Sequence, residues 1–238
     1  MGLTPVHFFS HGSTMMLGEE STSADYWRRC GDEALVQGIK GVVIMGAHWA
    51  CHGDGIEVAT NPNPGKSPVA YVHPSKYVDY KLNPDLPTAH RCISLLSQAV
   101  GSTLRQLRRE NYLIIGTGGA VHNLYRNRWA PMLRFRDNFA METPPEDWAL
   151  EFRQAVEDVM VKCPGGPKMR RAMTRLMKHP EYRDAHATDD HFMAALFVAG
   201  AVGEWEDEGS KVVLGAETWE LTNMCNSQFT IGEWSKLG

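Results

Sequence analysis

Three histidines stand just beyond three short apolar runs, and they are the residues of this chain best suited to chemistry. Val6-His7-Phe8-Phe9 leads to Ser10-His11-Gly12. Val42-Val43-Ile44-Met45 leads to Gly46-Ala47-His48-Trp49, and Tyr112-Leu113-Ile114-Ile115 leads through Gly116-Thr117-Gly118-Gly119-Ala120-Val121 to His122-Asn123. Imidazoles carried to one place by separate elements are the donor set a transition-metal site needs. His191 is a fourth donor. It begins a helix-like run after Thr188-Asp189-Asp190, where the positive end of the helix dipole favours the neutral imidazole that a metal binds.

These placements follow from the elements around them. Short β-rich runs closed by Gly or Ser read as buried strands. In an open α/β sheet, ligands bind beyond the carboxyl ends of the strands, so His11, His48 and His122 are expected at one edge. Strand-like and helix-like runs alternate over the whole chain, which predicts an α/β fold in a single domain over 1–238. Helix is predicted for Tyr26 to Gln37, for Ala89 to Glu110 with a break near Gly101, and from Pro145-Glu146-Asp147 onward. In the last of these Trp148, Phe152, Val156 and Val159 share a face. Lys168 to Lys178 reads as a solvated basic helix, and His191 to Gly203 as a buried one. Ile56–Ala59, Val212–Leu214 and a segment around Phe229 are further strand candidates. From Asn61 to Pro87 the chain holds Pro62, Pro64, Pro68, Pro74, Pro84 and Pro87, which predicts a loop long enough to be functional.

Composition narrows the class. A formal charge of −4 over 238 residues argues against nucleic acid or an anionic membrane as partner. No apolar stretch approaches the roughly 18 residues of a membrane span, and no signal peptide opens the sequence. Cys30, Cys51, Cys92, Cys163 and Cys225 are odd in number and never form a C-x-x-C pair, as expected of reduced thiols in a cytoplasmic protein. Ser235-Lys236-Leu237 is followed by Gly238, so it is not a terminal peroxisomal signal. The glycines of Gly116-Thr117-Gly118-Gly119 would let backbone approach a ligand closely, and Trp49 beside His48 would help wall off a dry pocket, but there is no P-loop, no His-Glu-x-x-His and no Gly-x-Ser-x-Gly elbow. Among the other histidines, His73 and His186 are placed to line a site, His7 reads as a core or sheet-face residue, and His52, His90 and His179 as surface residues. Glu19, Asp54, Asp189 and Asp190 are carboxylates able to support a metal site, with helix capping the simpler role for the Asp pair.

Taken in order, Ser10-His11-Gly12-Ser13, Gly46-Ala47-His48-Trp49, Gly116-Thr117-Gly118-Gly119-Ala120-Val121-His122-Asn123-Leu124 and Asp190-His191-Phe192 resemble the class III extradiol ring-cleavage dioxygenases, in particular the DOPA 4,5-dioxygenase-like branch. The resemblance runs from about Val6 to Phe229. It implies one α/β domain with a central mixed sheet between helical layers and a non-haem Fe(II), although some members are found with zinc. Carried over by motif, His11, His48 and His191 would be the metal ligands. His122 would be the acid/base at the metal's edge, or a fourth ligand. The proline-rich loop, with Tyr71, His73 and Tyr77, would cover a small catechol-type aromatic substrate such as DOPA, and His186 would lie near it. O₂ would be the co-substrate.

The chain departs from that family in one place. Members carry a strand–helix–strand stretch, a unit of about 30 or more residues, with a loop histidine next to an Asp that helps hold and protonate the substrate. Here Ala99-Val100-Gly101-Ser102-Thr103-Leu104 passes directly from one family segment to a much later one. The expected consequence is a metal triad without that histidine and a sheet short of one or two strands. An edge exposed in this way would favour pairing of two copies. A metal-dependent hydrolase or lyase on the same scaffold, and a catalytically silent homologue, remain open alternatives at this point.

Overall fold

In the computed structural model, residues 2–49, 51, 55–98 and 104–234 are described. Among them five strands form one sheet in the order β2-β3-β1-β5-β4. Their ranges are β1 Val6–Ser10, β2 Gly41–Gly46, β3 Tyr112–Gly118, β4 Val212–Glu220 and β5 Met224–Ile231. β1, β2 and β3 run parallel, while β5 is antiparallel to both β1 and β4. The expected α/β class, with a mixed sheet between helical layers, is the architecture found.

Among the described residues eight helices accompany the sheet: α1 Thr22–Val36, α2 Leu86–Gln98, α3 Gln106–Arg109, α4 Ala130–Phe135, α5 Asp147–Lys162, α6 Gly166–Leu176, α7 Tyr182–Ala185 and α8 Asp190–Ala201. α1 packs across β4 and β5; α8 packs across β3, β1 and β2, with α5 and α6 in turn packed on one another and α6 on α8. α1 starts four residues before its expected position because the Ser21 side chain accepts from Ala24 N and caps the helix there. The core lies between β1, β3 and β5 and the helices α5, α6 and α8, where Phe8, Phe152, Phe192 and Phe229 are fully buried. Each such ring contributes on the order of 1.5–3 kcal/mol by leaving water.

Several expectations need correction. Ile56–Ala59 forms no strand and joins no sheet among the described residues, since its side chains are mostly exposed and offer no face to a core. The basic segment predicted as a solvated helix is α6, which buries Met169, Met173 and Leu176 along one stripe while its lysines and arginines face outward. A charged composition concealed a clear amphipathic period. The break expected near Gly101 lies outside the described residues, as do His52, Asp54 and the Ser235-Lys236-Leu237 tail. No helix among the described residues is long and apolar enough to cross a membrane, and all five cysteines are free thiols. β2 is an edge strand, and its outward Val42 and Ile44 are exposed.

Candidate metal centre

The carboxyl ends of β1, β2 and β3 lie side by side, and the backbone fixes each histidine after them. His11 follows β1 directly, and its N–H donates to Gly118 O at 2.9 Å. Gly12 then turns the chain with φ +64°, a conformation that disfavours any residue with a Cβ. Ala47 N donates to Thr117 O at 3.0 Å, which holds the turn bearing His48 against the end of β3. Thr117 thus binds both neighbouring strand ends, because its hydroxyl also meets His11 Nδ1 at 2.9 Å. That bond leaves His11 Nε2 as the free donor.

His191 arrives from above the sheet. A Cβ on Gly116 would stand 2.5 Å from Ala194 O, and one on Gly118 would stand 2.1 Å from His191 O. The sequence suggests that these glycines admit a ligand; instead they admit the backbone of α8. Only bare backbone at both positions lets the first turn of α8 press onto β3 and carry His191 over the strand ends. Gly119 makes room for the His122 side chain, whose Cβ would be 2.8 Å from an added Cβ.

The result is a convergent triad. One nitrogen from each of His11, His48 and His191 lies within 4.8 Å of the others. Nitrogens sharing a metal tetrahedrally at about 2.1 Å stand about 3.4 Å apart, so small side-chain rotations close the site. His191 Nδ1 is 3.2 Å from Asp190 Oδ2, while its Nε2 is buried without a hydrogen-bond partner. A buried orphan nitrogen is costly unless something binds it, and a cation at the triad would do so. An aromatic stack extends the cluster: the rings of His122 and His191 are parallel within 7° at a centroid distance of 3.5 Å.

Electrostatics agree with this reading. Burial, followed by repulsion from His122 and His48, lowers the pKa of His11 to about 4. Burial and His11 lower that of His191 to about 4, against the opposing pull of Asp190. Burial and His191 lower that of His122 to about 3. All three are therefore neutral at pH 7, the form that ligates a metal or accepts a proton. An all-nitrogen donor set fits Zn(II) or Fe(II) better than a hard cation such as Mg(II).

Other expected site residues lie elsewhere. His186 is fully buried among Phe152, Tyr182 and Phe192, with Nε2 3.1 Å from Ala120 O, and reaches His122 only through a backbone bridge. His73 is exposed and caps the 3₁₀ turn Pro74–Lys76, with its ring nitrogen meeting Ser75. Tyr71 is exposed with φ +61°, and Tyr77 accepts from Val69 N at 3.2 Å. The loop is held to the rest by Thr14 Oγ1 donating to Ala70 O at 3.0 Å and by buried Val72. Trp49, expected to wall off a pocket, is 56% exposed and donates to Glu57 O. His7 is a sheet-face histidine bonded to Thr230 at 2.8 Å. His179 is half-buried, against Phe152, rather than a free surface residue. Asp189 makes no side-chain cap; it accepts from the Tyr182 hydroxyl and from Arg183.

Two contributors escaped the sequence reading. Thr117 could have been noticed as the one hydroxyl at the end of β3. Glu220 could not, because it is distant in sequence. This fully buried carboxylate accepts from Ser13 N at 2.9 Å, Ser13 Oγ at 2.6 Å, Asn226 Nδ2 at 2.6 Å and Asn138 Nδ2. It clamps the turn that follows His11 from the far end of β4.

Comparison with known proteins agrees with the geometry at the level of the scaffold. No family model matches the chain. It is 21% identical to the 4,5-DOPA dioxygenase extradiol of Escherichia coli strain K12, over 96% of this chain and 94% of that protein. The alignment spans 274 positions against 238 residues here, so at least 36 positions of that relative face gaps in this chain. The fold is similar to the crystal structure of an uncharacterized Escherichia coli K12 protein, with a TM-score of 0.70 and 19% identity over 96% of this chain and 99% of that one.

Proposed function

We propose that this chain is a non-haem metal-dependent extradiol dioxygenase, an oxidoreductase that opens the ring of a small catechol-type substrate with O₂. The observation that carries the reading is the convergence of His11, His48 and His191 within 4.8 Å, with His122 stacked beside them. The distant likeness to a DOPA dioxygenase supports the substrate class. His11, His48 and His191 would hold the metal, Fe(II) in the working enzyme and Zn(II) as an inert occupant. A metal held there would supply Lewis-acid binding for the two catechol oxygens and a meeting point for O₂.

The chain's own residues do the rest. Thr117 and Asp190 hold the rings of His11 and His191 through their second nitrogens, which keeps the donor atoms aimed at one point. His122, neutral at pH 7, accepts the proton of a catechol hydroxyl. The anionic oxygen formed beside it favours the imidazolium, which raises its pKa from about 3 toward the range where it can return that proton. Tyr71 and His73, on the exposed loop, are the groups that would fold over a bound ring. His186, in the core behind His122, would support that residue rather than touch substrate. In this reading the partners are a small aromatic molecule and O₂.

Anaerobic Fe(II) loading followed by metal analysis and oxygen uptake over a panel of catechols tests the proposal. About one iron per chain, lost in His48→Ala, with uptake coupled to loss of the catechol, is the expected result. His122→Ala should keep the metal and slow turnover by about 10²–10⁴-fold. Product without O₂ consumption would replace ring opening with a hydrolase or lyase activity. Absence of metal after loading would leave a silent homologue.

A further inference from the structure

One edge of the sheet carries an apolar surface that the proposed function does not use. β2 ends the sheet on one side and β4 on the other, and the two edges are built differently. β4 is interrupted by a bulge between Leu214 and Ala216 and bears Glu217, features that discourage pairing with another chain. β2 has neither. Gly41-Val42-Val43-Ile44-Met45-Gly46 holds no charge and no proline, and its register on β3 is unbroken. Among the described residues no strand lies on its outer side, to which every second residue turns an N–H and a C=O.

The face beside that edge is open as well. α1 packs chiefly across β4 and β5, and a cleft of about 330 Å³ lies between it and β2. Phe9, Trp27, Leu35, Val42 and Ile115 line the cleft. Ile44, the partner of Ile115 in the β2–β3 register, continues the apolar surface along the strand. Leu35, Val42 and Ile44 are 75%, 45% and 60% exposed. With their half-buried neighbours they present roughly 400 Å² of apolar area, as much as the main patch of a typical monomer. A stable dimer needs about 800 Å² from each partner, of which about 56–65% is apolar. The patch and the polar backbone edge beside it together meet that requirement.

We infer that β2 pairs antiparallel with β2 of a second copy of this chain, about a two-fold axis at Val43, joining two five-stranded sheets into one. The axis sets Val42 opposite the partner's Ile44 and Ile44 opposite the partner's Val42, so a single surface complements itself. Directly opposed side chains on one face of an antiparallel pair stand about 4.5–5.5 Å apart, close enough for these branched groups to pack. The outward N–H and C=O groups of both strands become ladder bonds. This pairing goes beyond the proposed reaction and needs no metal at the triad.

Sedimentation velocity of the full chain from about 1 to about 100 µM tests it, with a reversible monomer–dimer equilibrium expected. Ile44→Lys, a change at an exposed position, should weaken the dimer at least about tenfold. Val213→Lys, at an exposed position of the opposite edge strand β4, should leave it unchanged. Amide hydrogen exchange of the unmodified protein reads the pairing directly. The outward amides of 41–46 should exchange at least about tenfold more slowly at high concentration than at low. A monomer throughout that range would overturn the inference, and so would a dimer without that protection. A folded Ile44→Lys that dimerises as tightly as the unmodified protein would overturn it equally. Both readouts are taken without metal, so failure here is separate from failure of the proposed function.

Discussion

At the scale of single residues, the site depends less on the histidines than on what holds them. Glu220 is the clearest case. Four donors converge on a carboxylate that is fully buried, and among the described residues no cation lies within 4 Å of it. Charge-assisted bonds of this kind are the strong ones, and a buried acceptor with so many donors is costly to replace. Glu220→Gln keeps the shape but turns an amide N–H₂ toward groups that are themselves donors. We expect it to destabilise the fold by about 2–4 kcal/mol in urea denaturation and to lower metal stoichiometry by loosening Gly12 and Ser13. A variant with unchanged metal content would show that the turn after His11 does not need this clamp. The spacing of motifs points to none of this, because Glu220 meets Ser13 across 207 positions of sequence.

At the scale of elements, the decisive contact is α8 on β3. Gly118→Ala would put a methyl group 2.1 Å from His191 O, a backbone atom at the start of a helix that cannot rotate away. The helix must lift, so we expect a loss of about 2 kcal/mol or more in stability. Metal binding should fall with it, since His191 rides on that turn; full metal retention by a folded Gly118→Ala would contradict this account. A second joint lies at the opposite end of the sheet. Arg108 and Arg105, both buried, meet the buried Asp207, with Arg108 Nη1 and Arg105 Nη2 at 2.9 and 2.8 Å. Arg108 also donates to Thr4 O and Ala201 O, so the group ties β1, α3 and the end of α8 together. Asp207→Ala leaves the buried Arg108 with carbonyl acceptors alone and Arg105 with only Glu206, and should cost about 3–5 kcal/mol in thermal or chemical unfolding, with the triad untouched.

At the scale of the whole molecule, buried neutral histidines set the response to acid. Burial lowers His7 to about 4 and His186 to about 3, from an ordinary value of 6.5. Below pH 6.5 the unfolded chain takes up protons at these positions that the folded protein refuses. Their contribution to stability is therefore present above pH 6.5 and is lost progressively as pH falls toward 4 and then 3. The urea midpoint should drop between pH 7 and pH 4.5, and His186→Leu should flatten that slope. An unchanged slope in His186→Leu would mean that other groups govern acid sensitivity.

The same three scales separate what the sequence determined from what folding decided. The strand runs ending in His11, His48 and before His122, and the helix start at His191, are local signals. They depend only on residue type and short-range pattern, so the α/β class and the four candidate histidines could be read from them, while the choice of His11, His48 and His191 as the ligand set came from the family resemblance. Correct element types did not reveal what the elements press against. Glycines that look like a ligand cradle turned out to admit α8, a basic helix turned out to bury two methionines, and Trp49 turned out to face water. The Glu220 clamp and the fully buried place of His186 arise where segments distant in the chain meet. Their energies come from burial and from pairing across those contacts, quantities that no local window of sequence contains, and so only the tertiary structure could decide them.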